Sequence, residues 1–317
     1  MRPTTYMKVL LNALTLPIIS ACAGRFALEE GAGGCPVTVA LSYESVVETA
    51  AEVPVVGDVR CVVRAYPVAG GKRSEVFVRE VQAVQSLSRG YDSEVVMELP
   101  AGEYELVAWS DLSDGAGGFY DSGDFAEVAL CGEHAGSTDY RDAFCGCVPL
   151  VVADGQQSGE VRMDMYRPLA RYEVISDDFA AFASSEIAKC GGGFALADYT
   201  VVFSYVGYMP DKFNIYSDRP VDSATGVVFR SAVKQISDTQ ASLGFDYVFV
   251  GTGKSYVTVK IGVYDADGGL VSATSPIKLE LYRDRNTIRT GSYLTSRSSD
   301  GINIDQELDG SFEVPMN

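Results

Sequence analysis

Residues 93–109 read SEVVMELPAGEYELVAW, and this stretch decides the fold class. Two runs, 93–99 and 104–109, are rich in β-branched, apolar and aromatic residues, and the turn-forming sequence Pro100-Ala101-Gly102 separates them. Short runs of this composition that are bounded by Gly and Pro are typical of strands, because helices need longer and differently spaced apolar patterns. The stretch therefore predicts two consecutive strands.

Runs of the same kind recur along most of the chain, with clusters of Gly, Pro, Asp and Ser between them. They fall at 37–41, 59–66, 75–79, 148–153, 161–166, 169–175, 199–207, 227–230, 241–250, 256–264, 277–282 and 310–314. Many short strands at this spacing favour an all-β sandwich architecture. Asp267-Gly268 lies between two of the runs and predicts a hairpin turn.

One segment, 177–189, has the pattern of an amphipathic helix. Asp177 is placed to cap its first turn, and three glycines at 191–193 follow its end. Four apolar residues are expected to share its buried face: Phe179, Phe182, Ala183 and Ile187. We expect this single short helix to pack on an edge or end of a sandwich.

The length of 317 residues predicts about two domains. Arg167-Pro168 marks the boundary, because proline biases the residue before it toward extended backbone and a new alternating run begins directly afterwards. We therefore expect an N-terminal β-sandwich over 36–166 and a C-terminal one over 167–317.

The amino-terminal residues have the pattern of an export signal. Arg2 and Lys8 precede an apolar run at 9–19, and small residues lead to Cys22. A run of about a dozen apolar residues is too short to cross a bilayer as a helix, which needs about 20. The segment is therefore predicted to be a signal peptide rather than a membrane anchor.

The end of this segment, Ile19-Ser20-Ala21-Cys22, resembles the lipobox of bacterial lipoproteins. The resemblance implies cleavage between Ala21 and Cys22, so that 1–21 is a signal peptide and Cys22, carrying acyl chains, becomes the mature amino terminus. Two or more chains anchor a protein stably, whereas one does so only marginally. Residues 22–35 are then a flexible tether. The alternative is an ordinary signal peptide with a cysteine at this position by chance.

The charge of the chain limits its partners. It carries 43 acidic and 25 basic residues, a formal net charge of −18, and a single histidine. Nucleic acid is excluded as a partner, because phosphate binding needs clustered Lys and Arg. An acidic body also repels anionic lipid, which suits a domain held beside a membrane but not lying on it.

With Cys22 acylated, six cysteines are left: Cys35, Cys61, Cys131, Cys145, Cys147 and Cys190. An even number in an exported protein permits disulfides, but spacing does not choose among the pairings. Buried free thiols are the alternative. Cys145-Gly146-Cys147 lacks the spacing of a zinc site, so no metal is expected there.

Two stretches resemble ligand-binding loops without completing them. Residues 251–255 read GTGKS, but Val248 stands where a phosphate-binding loop has glycine and a strand pattern follows instead of a helix. We interpret this segment as a hairpin turn. Asp265 and Asp267 lack the remaining ligands of a calcium loop, so turn chemistry explains them.

A further acidic stretch follows Trp109 and contains Asp111, Asp114, Asp121 and Asp124. It could hold Ca²⁺, although a solvated loop is the simpler interpretation.

Nothing in the sequence predicts an active site. His134 is the only imidazole available to a catalytic triad and lies in a polar loop with no nucleophile motif beside it, so we interpret it as a surface histidine. A glycosidase would need only two carboxylates, yet no pattern indicates such a pair. We expect no catalytic residue, no cofactor and no metal.

Several segments together resemble the fimbrillin-like lipoproteins of Bacteroidia-type bacteria, including their minor-fimbria anchor proteins. The segments are LPAGEY at 99–104, AWSD at 108–111, YRDAF at 140–144, RPLAR at 167–171, RNT at 285–287 and GSYLT at 291–295. They run in this order through most of the chain, together with the lipobox.

The resemblance implies two tandem transthyretin-like sandwiches behind a lipid anchor, with subunits that polymerise by strand exchange. Main-chain hydrogen bonds then complete an open sheet edge, and alternate side chains give specificity. The last strand, with Phe312 and Val314 on one face, is the candidate exchanged segment. Lipoproteins bound for the cell surface in such bacteria often carry acidic residues directly after the cysteine, whereas Ala23-Gly24-Arg25 stand here.

The sequence therefore predicts a lipid-anchored fimbrial subunit or fimbria-like surface lipoprotein of the outer membrane that acts in adhesion and assembly. Its expected partners are the membrane, through Cys22, and other fimbrial subunits or host or bacterial surface ligands. The alternative is a glycan-binding outer-membrane lipoprotein of a nutrient-uptake system. That role would need exposed aromatic rings near Trp109 or in loops of the second domain.

Overall fold

The structure is a computed structural model that describes residues 34–43, 58–86, 92–113, 118–190, 193–296 and 311–315. Within these residues strands dominate and there is one α-helix, so the prediction of an all-β fold is confirmed. These described residues belong to one compact unit.

The first strands in chain order are β1 (Cys35–Ser42), β2 (Asp58–Ala69), β3 (Lys72–Arg73), β4 (Arg79–Ser86), β5 (Asp92–Leu99), β6 (Gly102–Ser113), β7 (Tyr120–Asp121), β8 (Val128–Leu130), β9 (Ala143–Val152), β10 (Gly159–Asp164) and β11 (Leu169–Ser176). Helix α1 (Phe179–Cys190) follows. The remaining strands are β12 (Thr200–Tyr205), β13 (Tyr208–Asn214), β14 (Arg219–Thr225), β15 (Val228–Ala232), β16 (Lys234–Gln235), β17 (Ala241–Phe249), β18 (Ser255–Tyr264), β19 (Leu270–Ala273), β20 (Ile277–Leu281), β21 (Arg285–Gly291) and β22 (Ser311–Pro315).

Two sheets form a sandwich in the first half of the chain. One has the order β10-β1-β5, and the other has the order β3-β2-β6-β9, with β4 also paired to β2. The alternation in β1 sends Val37, Val39 and Leu41 into the core between them, where each is fully buried. The period of two along a strand explains this selection.

The second half contains a similar pair of sheets. One has the order β16-β17-β11-β21-β22, and the other has the order β15-β12-β18-β19 with β20 also on β18. Ala170, Tyr172 and Val174 of β11 point into the core between them. Helix α1 adds Phe179 and Phe182 to the same core.

The leading strand has the same neighbours in both halves. β1 pairs antiparallel with β5 and parallel with β10, over six residue pairs from Val37–Gly159 to Ser42–Asp164. β11 likewise pairs antiparallel with β17 and parallel with β21, again over six pairs. One difference between the two sheets is that β22 pairs with the outer edge of β21 in the second sheet.

A fifth sheet, with the order β14-β13-β8-β7, combines strands from both halves of the chain. Its apolar face packs in a third cluster against the outer face of β6 and against β17. Trp109 is fully buried at its centre, with ring centroids 5.3 Å from Tyr120 and 6.4 Å from Phe249. Since this cluster draws on residues on both sides of 167, the division into two domains stays a prediction.

The helix differs from its predicted form. It begins at Phe179, two residues after Asp177, and the carboxylate of Asp177 accepts a hydrogen bond from Ser292 instead of capping the first turn as predicted. Ile187 is 46% exposed, so its prediction as a core residue is wrong. Glu186 takes the buried position one turn past Phe182 and Ala183, because Tyr199 Oη donates to its carboxylate at 3.0 Å.

Most predicted strands are present, with two local corrections. Residues 75–78 are irregular, and the strand predicted at 75–79 begins at Arg79 instead. Residues 251–254 join β17 to β18, which lie in different sheets, so this segment is not a hairpin turn. Asp267-Gly268 does form the predicted hairpin between β18 and β19, with Gly268 at φ +80°.

No helix among the described residues combines the length and apolar character needed to cross a membrane.

Replacing Trp109 by alanine should lower the free energy of unfolding by about 3 to 5 kcal/mol, because it empties the cluster that joins three sheets. The measurement is urea denaturation followed by circular dichroism. Val151→Ala is the control: this side chain is 68% exposed, and its loss should change stability by less than about 0.5 kcal/mol. Equal effects of the two substitutions would contradict a central role for Trp109.

Candidate functional site

The predicted exchange segment forms β22, the outermost strand of its sheet within the described part of the chain. It pairs antiparallel with β21 in a register that runs from Arg285–Pro315 to Arg289–Ser311. Phe312 lies opposite Ile288, and Val314 lies opposite Asn286. β22 is therefore held by main-chain pairing along one edge only.

The chain is held in place at Leu294 and Thr295, well before β22 begins. The carboxylate of Asp178 accepts hydrogen bonds from the backbone N–H groups of Leu294 and Thr295, at 3.2 and 2.8 Å. Leu294 is itself buried in the second core. Residues 297–310 connect this anchor to β22, and a connection of that length reaches at most about 50 Å. The covalent link alone therefore does not restrict β22 to its own sheet.

An edge of the first sandwich corresponds to the one that β22 occupies. β10 has the place in its sheet that β21 has in the other, and among the described strands none pairs with its outer side. Val161 and Met163 face the core, whereas Glu160 and Asp164 are exposed. An edge strand with a charged outer face can accept one further strand.

Two segments that carried the family resemblance, YRDAF and RPLAR, meet in a buried ion cluster together with Asp284, the residue directly before RNT. Arg167 Nε donates to both carboxylate oxygens of Asp142 at 2.9 Å, and Arg167 Nη1 donates to Asp284 at 2.9 Å. Burial raises the pKa of Asp142, and the Arg167 guanidinium only partly offsets this. The arrangement joins YRDAF, RPLAR and the segment before RNT, so these motifs are structural in this chain.

A second buried cluster centres on Asp246 of β17, which is 1% exposed. Its carboxylate accepts hydrogen bonds from Tyr205 Oη at 2.6 Å and from the backbone N–H of Tyr247 at 2.8 Å, and it pairs with Arg141. Burial alone would raise the pKa of Asp246, but Arg141 and the hydrogen bonds from His134 and Tyr205 hold that pKa below its ordinary value.

His134 belongs to this cluster, so its interpretation as a surface histidine is wrong. Its side chain is 11% exposed, and its Nε2 lies 2.6 Å from Asp246 Oδ2 and 2.7 Å from Arg141 Nη1. His134 lies on the loop 131–138, which extends from the first half of the chain to β17. The backbone N–H of Ser137 in this loop donates a hydrogen bond to Phe245 O at 2.8 Å. Local sequence gave no signal for the contact with Asp246, because the two residues are 112 positions apart.

The acidic stretch after Trp109 does not form one loop site. Asp111 is a buried residue of β6 whose carboxylate binds Arg60 Nε at 2.9 Å and Trp109 Nε1 at 2.9 Å. Asp121 and Asp124 accept backbone N–H groups two residues ahead in local turns, and Asp114 lies outside the described residues. Within the described ranges, no three His, Cys, Asp or Glu side chains are grouped to hold a metal ion.

The described cysteine thiols are unpaired. Cys35, Cys61 and Cys145 are buried, whereas Cys131 and Cys147 are exposed. Burial raises the pKa of Cys145 to about 12, so this thiol is unreactive at neutral pH.

The aromatic residues give little support to a sugar-binding surface. Trp109 is inside the protein, so it does not offer a ring to a sugar. Tyr256 on β18 is 47% exposed, but the ammonium of Lys278 lies 4.0 Å from its ring centroid and covers a face that a sugar would stack on. Cys22 and Ala21, the predicted lipidation and cleavage residues, lie outside the described residues.

The described architecture is that of an all-β protein built from packed sheets. Residues 35–316 match a family of unknown function (DUF6562), and the chain belongs to this family. No curated protein matches it in sequence.

Three solved structures are similar to this chain over most of their length. One is a candidate cell adhesion protein from Bacteroides eggerthii, with 10% identity, coverage of 89% of this chain and 95% of that one, and a TM-score of 0.47. A candidate adhesin from Bacteroides thetaiotaomicron has 13% identity, coverage of 90% and 99%, and a TM-score of 0.46. The fimbrial anchor protein Mfa2 from Porphyromonas gingivalis has 13% identity, coverage of 81% and 91%, and a TM-score of 0.40.

The Asp246 cluster makes stability depend on pH. Because the folded pKa of Asp246 is depressed, its contribution is complete above the unfolded value of about 3.9 and is lost as pH falls through the folded pKa. Tyr205→Phe should cost about 1.5 to 3 kcal/mol at pH 7, since it removes a donor from a buried carboxylate. That cost should shrink as pH falls through the depressed folded pKa of Asp246 and the carboxylate becomes protonated.

Denaturant unfolding at pH 7, 5, 4 and 3 measures this effect. Tyr208→Phe is the control, because Tyr208 is 73% exposed and its hydroxyl meets solvent. A Tyr205→Phe cost that stays constant down to the lowest pH at which the protein is folded would contradict the electrostatic origin.

Proposed function

We propose that this protein is a lipid-anchored surface lipoprotein that acts in adhesion and assembles by β-strand addition, with β22 of one copy adding to the β10 edge of the next. The observation that carries the proposal is the repeated strand order. In the second sandwich β22 lies beside the parallel neighbour of the leading strand, and in the first sandwich the matching position beside β10 has no strand among the described residues.

The repeat supports β22 as the occupant because the two acceptor strands are alike. Each pairs over six residues in parallel with an eight-residue leading strand, β1 or β11. A strand that pairs antiparallel with β21 can therefore meet the same pattern of backbone donors and acceptors at β10. Each main-chain hydrogen bond contributes about 1 kcal/mol net, so five residues give a modest affinity that repetition along a fibre would reinforce.

The lipid anchor of this proposal rests on the sequence around Cys22. Acyl chains on this residue would hold the amino terminus in the outer membrane, and residues 23–34 would precede β1 as the tether. The net charge of −18 supports a body that stays off the anionic membrane surface. We infer the cell surface as the location, since strand addition between copies and adhesion both need access to partners.

Cys22→Ser should move the protein from the detergent phase to the aqueous phase in a phase-separation assay, because each buried CH₂ of an acyl chain contributes about 0.8 kcal/mol to membrane binding. Cys131→Ser is the matched control and should stay in the detergent phase, since it alters an exposed thiol of the folded body. Retention of the Cys22→Ser protein in the detergent phase would refute lipidation at this residue.

Strand addition can be tested with a peptide of residues 309–317 added to the intact protein. Its own β22 already covers β21, so the added peptide should slow amide hydrogen exchange in 159–164 by about tenfold or more. Exchange in 59–66, inside the neighbouring sheet, should not change. Mass spectrometry after timed deuteration measures both segments.

The control is the same peptide with Phe312→Ser and Val314→Ser, which keeps the backbone but loses the apolar face and should protect 159–164 much less. Protection confined to 285–291, or none in 159–164, would refute β10 as the acceptor. Polymers that persist when the chain ends at residue 296 would refute β22 as the donor.

A further inference from the structure

The outer face of the sheet β15-β12-β18-β19 is basic, although the whole chain carries a net charge of −18. Alternation along β18 sends Val257, Val259 and Ile261 into the core, so the residues between them face outward. The strand register brings alternate residues of β12, β15 and β20 onto the same face. The charged side chains of this basic face are Arg230, Lys254, Lys260, Lys278 and Glu280.

Most of the positive charge on the basic face is not neutralised by neighbouring carboxylates. Lys254 Nζ pairs with Glu280 Oε1 at 2.5 Å, and Glu280 is the one acidic residue at the described outward strand positions. Within the described part of the chain, Arg230, Lys260 and Lys278 are exposed and form no ion pair. Lys260 lies on the strand next to Lys278, one diagonal position away. Like charges on neighbouring strands repel, so the stability of the fold does not account for this grouping.

The outer face of the sheet β10-β1-β5 carries the opposite charge. The alternation that buries Val37, Val39 and Leu41 of β1 turns the residues between them, with their partners on β5 and β10, toward solvent. Arg162 is the one cation at these described positions, and it pairs with Asp164 at 3.4 Å. The other charged side chains of this acidic face are exposed carboxylates: Glu94, Glu98 and Glu160.

The basic face and the acidic face match in charge, with three unpaired cations on one and three unpaired carboxylates on the other among the described residues. All six side chains are exposed, so the two faces do not cover each other within one copy. Complementary charge orients two surfaces and excludes partners of like charge. We propose that the basic face of one copy docks on the acidic face of the next. This contact is separate from strand addition, which uses the edge of β10 and not its face.

A second copy suits the basic face better than an anionic sugar polymer. Sugar rings bind by stacking on aromatic rings as well as by charge, but the Lys278 ammonium lies 4.0 Å from the centroid of the Tyr256 ring. A second copy needs no stacking surface and already supplies the carboxylates. Because two different faces meet, the contact is heterologous, so each copy can bind two others and the assembly grows into a ring or a filament.

The size of the faces makes this a weak contact. Strands lie about 4.8 Å apart and rise about 3.3 Å per residue, so the three-stranded acidic face covers about 300 Å². This contact buries well below the total of about 1,200 Å² that is usual for a stable complex, and exposed ion pairs are individually weak. We expect a dissociation constant of about 0.1 to 1 mM at low salt. Copies held close together on a membrane or along a fibre would still form the contact.

Charge reversal on one face at a time tests the contact. Lys260→Glu with Lys278→Glu makes the basic face acidic, and Glu94→Lys with Glu98→Lys makes the acidic face basic. Each double variant should associate at least about tenfold more weakly than the unaltered protein, because its two faces then have like charge. An equimolar mixture of the two variants should recover most of the association, since each offers the face that the other lacks.

Sedimentation velocity at about 0.05 M and about 0.5 M NaCl measures the association, because the higher salt screens exposed charges. Every protein in the series is the full chain with Cys22→Ser, so that acyl chains do not contribute. The unaltered faces should associate about tenfold more weakly at the higher salt. Copies joined by strand addition are held by main-chain hydrogen bonds and persist there, so the salt-sensitive association reports the faces. Circular dichroism verifies that each variant is folded.

Lys72→Glu with Lys234→Glu is the matched control. Both lysines are exposed on strands outside the basic face, and their reversal changes the net charge by the same amount as the reversal of the basic face. The association of this control should stay within about twofold of the unaltered protein, since a change in net charge alone does not disturb the matched faces.

Four results would overturn the proposal. They are an equal loss of association in the control, no recovery in the mixture, no salt-sensitive association up to about 2 mM protein, and binding of polygalacturonate to the basic face without self-association. The last result would identify an anionic sugar polymer as the occupant. None of the substitutions lies on β10, β21 or β22, so exchange protection at β10 tests strand addition separately.

Discussion

In each sandwich the first strand, β1 or β11, lies between two neighbouring strands. One of these neighbours, β10 or β21, comes from the far end of the same half of the chain. β1 cannot bury its apolar face and satisfy both backbone edges until β10 arrives more than a hundred residues later. β11 depends on β21 in the same way. Closing such long loops costs entropy before any contact offsets it, and parallel pairing of this kind folds slowly. The order of every other strand follows from these two closures.

The centre of the molecule depends on polar contacts as much as on apolar ones. Trp109 and its aromatic neighbours fill the space between three sheets, while Asp246 draws Arg141 and His134 across from the other half of the chain. Breaking a buried ion pair by removing one partner leaves an uncompensated charge, which is costly. These contacts therefore specify how the loop 131–141 lies on the second sandwich.

Strands could be predicted from the sequence where buried apolar and exposed polar residues alternate, or where the residues on both faces are apolar. Residues 106–109 are all apolar because β6 packs on the first core through Leu106 and Ala108 and on the third cluster through Val107 and Trp109. β13 and β14 escaped prediction, since Pro210 interrupts the first and the second is mostly exposed and polar. They are stabilised by contacts with β8 and the third cluster that local sequence does not encode.

Candidate side chains were predicted less well, and the reasons are tertiary. Glu186 lies where Ile187 was expected because Tyr199, from beyond the helix, offers a hydroxyl. Asp111 looked like a loop carboxylate, yet Arg60 on the neighbouring strand holds it inside. His134 had no local partner in sequence. In each case a polar group is buried by a partner that only the folded chain supplies, whereas the apolar pattern along single strands was visible beforehand.

The parallel pairing of β1 with β10 has a mechanical consequence. The chain enters β1 at Cys35 and leaves β10 at Asp164, and in a parallel pair these two ends lie at opposite ends of the ladder. Tension along the chain therefore pulls the strands past each other and loads all six residue pairs at once, rather than peeling them apart singly. Resistance to pulling is governed by the rate of forced unfolding and not by equilibrium stability. In a protein held by its amino terminus against flow, this force would act on the β1–β10 pair in the direction in which its residue pairs share the load.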